Sequence, residues 1–143
     1  MNTITKIVPL GAPDTLLLHD IKTKFVELNK YNYVDFVVYL SKSTTGSKDA
    51  VIKLLAKRDE EGAENPIPFR QKMPNGVDFI YILDGVKPIK LDLLESTMLV
   101  FRVTSESLMK GGFDRVAIEI PGITLSDVRC SIVGILYSPR YTE

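Results

Sequence analysis

The strongest signal along the chain is an alternation of apolar and other side chains with a period of two. From Tyr33 to Leu40, Val34, Phe36, Val38 and Leu40 fall on one side, while Tyr33, Asp35, Val37 and Tyr39 fall on the other. Ala50, Ile52, Leu54 and Ala56 alternate with Val51, Lys53, Leu55 and Lys57 in the same way. So do Leu99, Phe101 and Val103 with Val100, Arg102 and Thr104, and Val116, Ile118 and Ile120 with Arg115, Ala117 and Glu119. Successive side chains of a strand point to opposite faces, so each run sends one set into a core and the other outward. Turn-forming pairs separate these runs, among them Asn75-Gly76, Asp84-Gly85, Gly111-Gly112 and Pro121-Gly122. Asn-Gly and Asp-Gly accept positive φ and favour tight hairpins. The pattern predicts strands near 3–9, 22–28, 33–41, 50–58, 66–72, 77–83, 87–93, 98–104, 114–120 and 128–137. Helix is limited to one or two short turns: Ser105–Lys110 stopped by Gly111, and Asp14–Asp20, where a strand or loop fits nearly as well. Many short strands with frequent turns define an all-β chain, a sandwich or a barrel.

One stretch breaks the rhythm. In Glu64-Asn65-Pro66-Ile67-Pro68-Phe69-Arg70, two prolines flank a single isoleucine. Proline fixes φ and removes a backbone donor, which excludes a helix interior and an ordinary central strand. The expectation is a stiffened edge strand in which Phe69 anchors in the core and Arg70 presents its planar guanidinium.

Composition narrows the function more than the fold. The chain has 143 residues, long enough for one domain with its own core; 45% are apolar and 25% charged. Eighteen basic side chains balance eighteen acidic ones, which removes the bulk electrostatic argument for nucleic acid or an anionic membrane. No apolar run is long enough for a membrane-spanning helix, and the N-terminus does not have the pattern of a signal peptide. With one cysteine, Cys130, and one histidine, His19, multi-cysteine and histidine-rich metal sites are excluded. Cys130 shares its alternating face with Val128, Ile132 and Leu136 and reads as a small buried thiol; His19 reads as a surface residue. Asp59-Glu60-Glu61 reads as a solvated connection, and Gly111-Gly112 has no phosphate-binding spacing. An enzyme is therefore not expected, and no cofactor or metal is implied. Tyr31 and Tyr33 form the one close tyrosine pair, either packing residues or an aromatic ligand platform.

From the proline segment onward, the order of features resembles a family of small virion structural proteins of tailed bacteriophages. A strand, Ala50 to Ala56, leads through Lys57-Arg58-Asp59-Glu60 to Asn65-Pro66-Ile67-Pro68-Phe69-Arg70. Leu99-Val100-Phe101-Arg102-Val103 then precedes Gly112-Phe113-Asp114-Arg115-Val116, and the chain closes on Tyr137-Ser138-Pro139-Arg140-Tyr141. The resemblance covers roughly residues 33 to 141. The chain departs from the pattern at Gln71, at the order Phe113-Asp114-Arg115 and at Tyr137. Proteins of this kind are similar to capsid decoration, or cement, proteins with a jelly-roll-like antiparallel β-sandwich. The resemblance implies synthesis in the host cytoplasm and attachment to the capsid surface of the virion. Its partners would be the major capsid protein and itself, as a dimer or trimer, without catalysis, nucleic acid or membrane. The alternative, from a different class, is a ligand- or glycan-recognition sandwich on a phage tail or fibre. Residues 14–143 would form the sandwich, and residues 1–13 an arm able to add to a neighbour's sheet through Ile4, Ile7, Val8 and Leu10. With these, Tyr31, Tyr33, Phe69, Arg70, Arg140 and Tyr141 complete the candidate interface residues.

Overall fold

The alternation is carried out in three dimensions by two antiparallel sheets whose apolar sets face each other. The computed structural model describes residues 4–10, 15–41, 49–91, 98–123 and 127–137. Along the chain run β1 (Ile4–Pro9), β2 (Thr15–Leu16), β3 (Ile21–Lys22), β4 (Val26–Glu27), β5 (Tyr33–Leu40), β6 (Asp49–Lys57) and β7 (Asn65–Pro66). They are followed by β8 (Phe69–Lys72), β9 (Phe79–Ile82), β10 (Val86–Lys90), β11 (Met98–Thr104), α1 (Ser105–Lys110), β12 (Arg115–Ile120) and β13 (Arg129–Tyr137). The larger sheet has the order β1-β13-β5-β11-β8-β9, with β2 added to β13. The smaller has the order β10-β6-β12-β3, with β4 on β12 and β7 on β6.

The β8–β9 hairpin and the two-residue β2 and β7 are additions to an eight-strand frame in which β3 and β4 count as one interrupted strand. Numbered along the chain, the eight strands are ordered 1-8-3-6 in the larger sheet and 2-7-4-5 in the smaller. That interleaving is the order of a jelly roll, and the all-β sandwich expected from the alternation is the fold observed. Between the sheets lie Val34, Phe36, Val38 and Leu40 of β5, Ile52 and Leu54 of β6, Phe101 of β11 and Ile118 and Ile120 of β12, all fully buried. Each such side chain contributes about 1.5–3 kcal/mol on burial, so the inward sets dominate the stability.

The one helix among the described residues follows its expected punctuation. Thr104 caps the N-terminus by accepting a hydrogen bond from the Ser107 N–H at 3.2 Å. At the other end the Gly112 N–H donates to the Met109 carbonyl and the Phe113 N–H to Leu108. These two bonds form a Schellman stop with Gly112 in the left-handed region at φ +82°.

Three expectations require correction. The strand predicted over 22–28 is two short pieces, β3 and β4, both paired to β12. The segment predicted as one strand over 66–72 is divided between the sheets. Asn65 and Pro66 pair with Ala56 and Leu55 on the edge of the smaller sheet, whereas β8 lies inside the larger sheet between β11 and β9. The prolines thus mark a corner at which the chain changes layers. Ile67 turns inward there, donating its N–H to the Leu54 carbonyl at 3.1 Å. Asp84-Gly85 is likewise no tight hairpin. It carries the chain back from β9 to β10 in the smaller sheet, with Gly85 at φ +79°. The two crossings lie against each other: a Cβ on Gly85 would come within 2.8 Å of the Pro66 Cβ and 3.0 Å of the Ile67 backbone. The β8–β9 hairpin is therefore an excursion that leaves the smaller sheet at Pro66, widens the larger one, and returns at Gly85.

Candidate functional site

The inward faces are occupied by the core, so any chemistry open to a partner lies on the outward faces, at the edges or in the loops. On the larger sheet, strand register aligns Ile7, Ile135, Asp35, Arg102, Arg70 and Tyr81 in one row across six strands. Its centre is an ion pair. The Arg102 Nε donates to Asp35 Oδ1 at 2.7 Å and its terminal amine to Oδ2 at 2.9 Å, a two-pronged fork. Aromatic rings enclose the pair. The guanidinium carbon sits 3.9 Å from the Tyr33 ring centroid and 4.8 Å from that of Phe79, and Tyr33 stacks on Tyr137 at 4.5 Å. Although it points away from the core, Asp35 is only 3% exposed. Burial acts to lower the Arg102 pKa, but the hydrogen bonds and charge of Asp35 outweigh it, and the net direction is up. Burial, joined by the nearby Asp35 charge, also raises the Tyr137 pKa.

Apolar side chains continue this face on one side of the row, and Tyr137, Tyr33 and Thr104 form the row on the other. Pro9, Val133, Val37 and Val100 are aligned in a second row, and Met98 stands opposite Tyr39. The outer face of the smaller sheet differs. Glu27, Arg115 and Lys57 form one row, and Lys22, Glu119 and Lys53 another, so that most neighbours are charged. Arg115 is held by Asp114 at 2.9 Å and Glu27 at 3.4 Å, and Lys22 by Glu64. Phe25 lies between Lys22 and Lys57, whose amines stand 5.7 and 4.4 Å from its ring centre.

The candidate residues divide by side. Ile7 is exposed on the outer face of the larger sheet, and Tyr33 and Arg70 are half-buried there; Arg70 stacks on the Tyr81 ring at 4.9 Å. Val8, Leu10, Tyr31 and Phe69 turn inward, Phe69 meeting Phe101 edge-on at 5.7 Å. The backbone of Ile4 pairs with Tyr137, so the N-terminal arm adds a strand to its own sheet, along β13. Arg140 and Tyr141 lie outside the described residues. Cys130 is buried, and its surroundings push the thiol up to about 11, away from the reactive thiolate. His19 and Asp59-Glu60-Glu61 are exposed.

The alternation alone did not single out Asp35, Arg102, Phe79, Tyr81 or Tyr137. A signal was available: Asp35 is the one acid and Arg102 the one base within otherwise apolar or aromatic strand stretches. A lone charge in such a stretch needs a partner of opposite sign.

No family model matches the sequence, and a search of curated proteins returns no match. Among solved structures, the fold is similar to that of the SPBc2 prophage-derived protein YomS, with a TM-score of 0.54 and 14% sequence identity over 96% of each chain.

Proposed function

We propose that this chain is a non-enzymatic structural protein of a tailed-bacteriophage virion that binds the capsid and stabilises it, as a decoration, cement or minor head protein. The observation that carries the reading is the outer face of the larger sheet. Its middle is apolar and aromatic, with Val37, Val100, Val133, Ile135, Tyr33 and Tyr137 around a central charge neutralised by the Asp35–Arg102 fork, and its polar groups, Arg70 and Lys72 among them, stand toward the rim. Such a face suits docking onto a protein surface, because little polar desolvation remains to be offset on binding. The ordered resemblance from the proline segment to Pro139-Arg140-Tyr141 supports a virion location, as does the fold shared with a prophage-derived protein.

The mechanism is mass action. Contacts that bridge neighbouring capsid subunits exist only in the assembled shell, so binding favours the shell over its separated pieces. A self-associated protein strengthens this, since its second copy binds at high effective concentration once the first has landed. A ligand-recognition sandwich is less well supported. The cleft between Arg70, Tyr81, Arg102 and Thr104 has about 50 Å³, room for a few waters rather than a sugar ring.

Mixing the protein with undecorated capsids and following their thermal rupture tests the proposal. Wild-type protein should co-sediment with the shells and raise their rupture temperature, and Val37→Glu on the outer face should do neither. Wild-type protein that neither binds shells nor protects them would remove the capsid reading.

A further inference from the structure

The strand edges of this sandwich are protected unequally. An open edge offers unpaired backbone groups to any passing strand, and proteins blunt such edges with proline, lysine, bulges or short length. The β1 edge carries Lys6, Pro9 and a register shift between Ile4 and Lys6. The β10 edge reads Val86-Lys87-Pro88-Ile89-Lys90. The outlying pieces β2, β3, β4 and β7 have two residues each. By contrast β9, Phe79-Ile80-Tyr81-Ile82, has no lysine, proline or bulge, and among the described residues nothing pairs with its outer side. It is also bordered by exposed apolar side chains: Val77 is 76% exposed, Ile80 38%, Tyr81 62% and Leu83 77%.

The phase of the hairpin shows which backbone groups β9 offers. The Met73 N–H donates to the Asp78 carbonyl directly opposite at 2.8 Å, so 73 and 78 form a hydrogen-bonded pair. Such pairs alternate along an antiparallel ladder, so Ile80 and Ile82 bond to β8 while Phe79 and Tyr81 direct their N–H and C=O groups outward. A second β9, antiparallel and related by a two-fold axis at Ile80, completes this pattern. Phe79 of each copy then exchanges both backbone bonds with Tyr81 of the other, and Ile80 meets Ile80. Beyond the strand ends, Val77 falls opposite Leu83. Every exposed apolar residue of the segment meets an apolar residue, and no charge within β9 opposes its own copy. Centring the axis on Tyr81 instead would set Asp78 opposite Asp84, a like-charge contact.

We infer that the chain self-associates as a two-fold dimer by edge-to-edge pairing of β9, in the register centred on Ile80. The occupant of this edge is a second copy because the segment is complementary to itself. An axis perpendicular to the sheet keeps both outer faces on one side, giving a continuous docking face twice as wide. This deepens the self-association in the capsid reading, but it rests on the edge chemistry and not on capsid binding.

The test uses the full chain without capsids. Light scattering should give twice the chain mass of 16.0 kDa. Tyr81→Pro removes an outward-facing donor that β8 does not use, so the far-UV circular dichroism should be unchanged while the dimer is lost. Tyr81→Lys, which keeps the donor, should also give a monomer and decides the matter if the proline variant does not fold. Ile80→Cys should form a disulfide-linked dimer on mild oxidation, because non-hydrogen-bonded pairs bring Cα atoms to about 4.5 Å, whereas Lys87→Cys on the protected edge should not. A monomeric or trimeric wild type, a dimer that survives the Tyr81 substitutions, or one that Ile80→Cys fails to cross-link would overturn the inference. A dimer that ignores capsids leaves it standing and removes the capsid reading; a monomer that binds capsids does the reverse.

Discussion

The two outer faces of the sandwich treat charge in opposite ways. On the smaller sheet, Lys22, Lys53, Lys57, Arg115, Glu27 and Glu119 stand in mixed rows; Arg115 is largely covered by its partners, while Glu27 and Lys22 are well exposed, and the pairs reach from strand to strand. On the larger sheet the central pair, Asp35 and Arg102, is sunk among Tyr33, Tyr137 and Phe79, with valines and an isoleucine on one side and Arg70, stacked on Tyr81, on the other. Both faces are built on antiparallel ladders, so the difference lies in which side chains each one carries. Mixed charge paired from strand to strand leaves a face polar and hydrated. Charge buried in an internal pair leaves a face apolar to an approaching surface while still fixing strand register at one point, since Asp35 and Arg102 are directly opposite.

The largest effect should come from breaking the sunken pair. Arg102→Ala leaves the Asp35 carboxylate buried without its counter-charge, which should destabilise the fold by about 3 kcal/mol, read from urea unfolding. Arg102→Lys keeps the charge but not the fork and should fall between that and wild type. Lys53→Ala on the opposite face should stay within about 0.5 kcal/mol of wild type. Equal effects at Arg102 and Lys53 would mean that the two faces are not energetically different.

Much of this arrangement could be read from the sequence, and the boundary is informative. Strands β5, β11 and β13 fall almost where the alternation puts them, because a buried face imposes its period on every residue of the run. The corners could not be read. Pro66-Ile67-Pro68 and Asp84-Gly85 announce a change of direction, but which sheet receives the chain depends on partners such as Leu54 and Phe101 that are distant along it. The central ion pair was hidden for the same reason: Asp35 and Arg102 are 67 residues apart. A period of two reports which side a residue faces, not whom it meets there.

The corner that widens the larger sheet supplies a second, smaller effect. Gly85→Ala combines a left-handed φ with contacts to the Pro66 Cβ and Ile67 backbone that cannot relax independently. It should cost roughly 2 kcal/mol or more in thermal or urea unfolding. Gly76→Ala has a similar φ of +77° but meets nothing within 4 Å, so only the backbone term of about 1 kcal/mol remains. A Gly85 variant no worse than the Gly76 variant would mean that the two crossings do not brace each other.

The smallest effects should separate the faces by pH. Tyr137, beside the sunken pair, has its pKa raised in the folded chain above the ordinary 10.0, first by burial and then by the Asp35 charge. A raised acid favours its protonated form on folding, so its contribution is complete below pH 10 and is lost as pH climbs through the higher folded value. Asp114, at the end of the smaller sheet, has its pKa lowered below 3.8, first by the hydrogen bond from Arg115. That contribution is complete above pH 3.8 and is lost as pH falls through the lower folded value. Unfolding midpoints measured across pH should therefore decline at both ends for different reasons. Tyr137→Phe, which keeps the ring stacked on Tyr33, should flatten the alkaline decline and leave the acid one unchanged, while Asp114→Asn should do the opposite. If either substitution altered both limbs, the faces would be coupled through the core rather than titrating as separate surfaces.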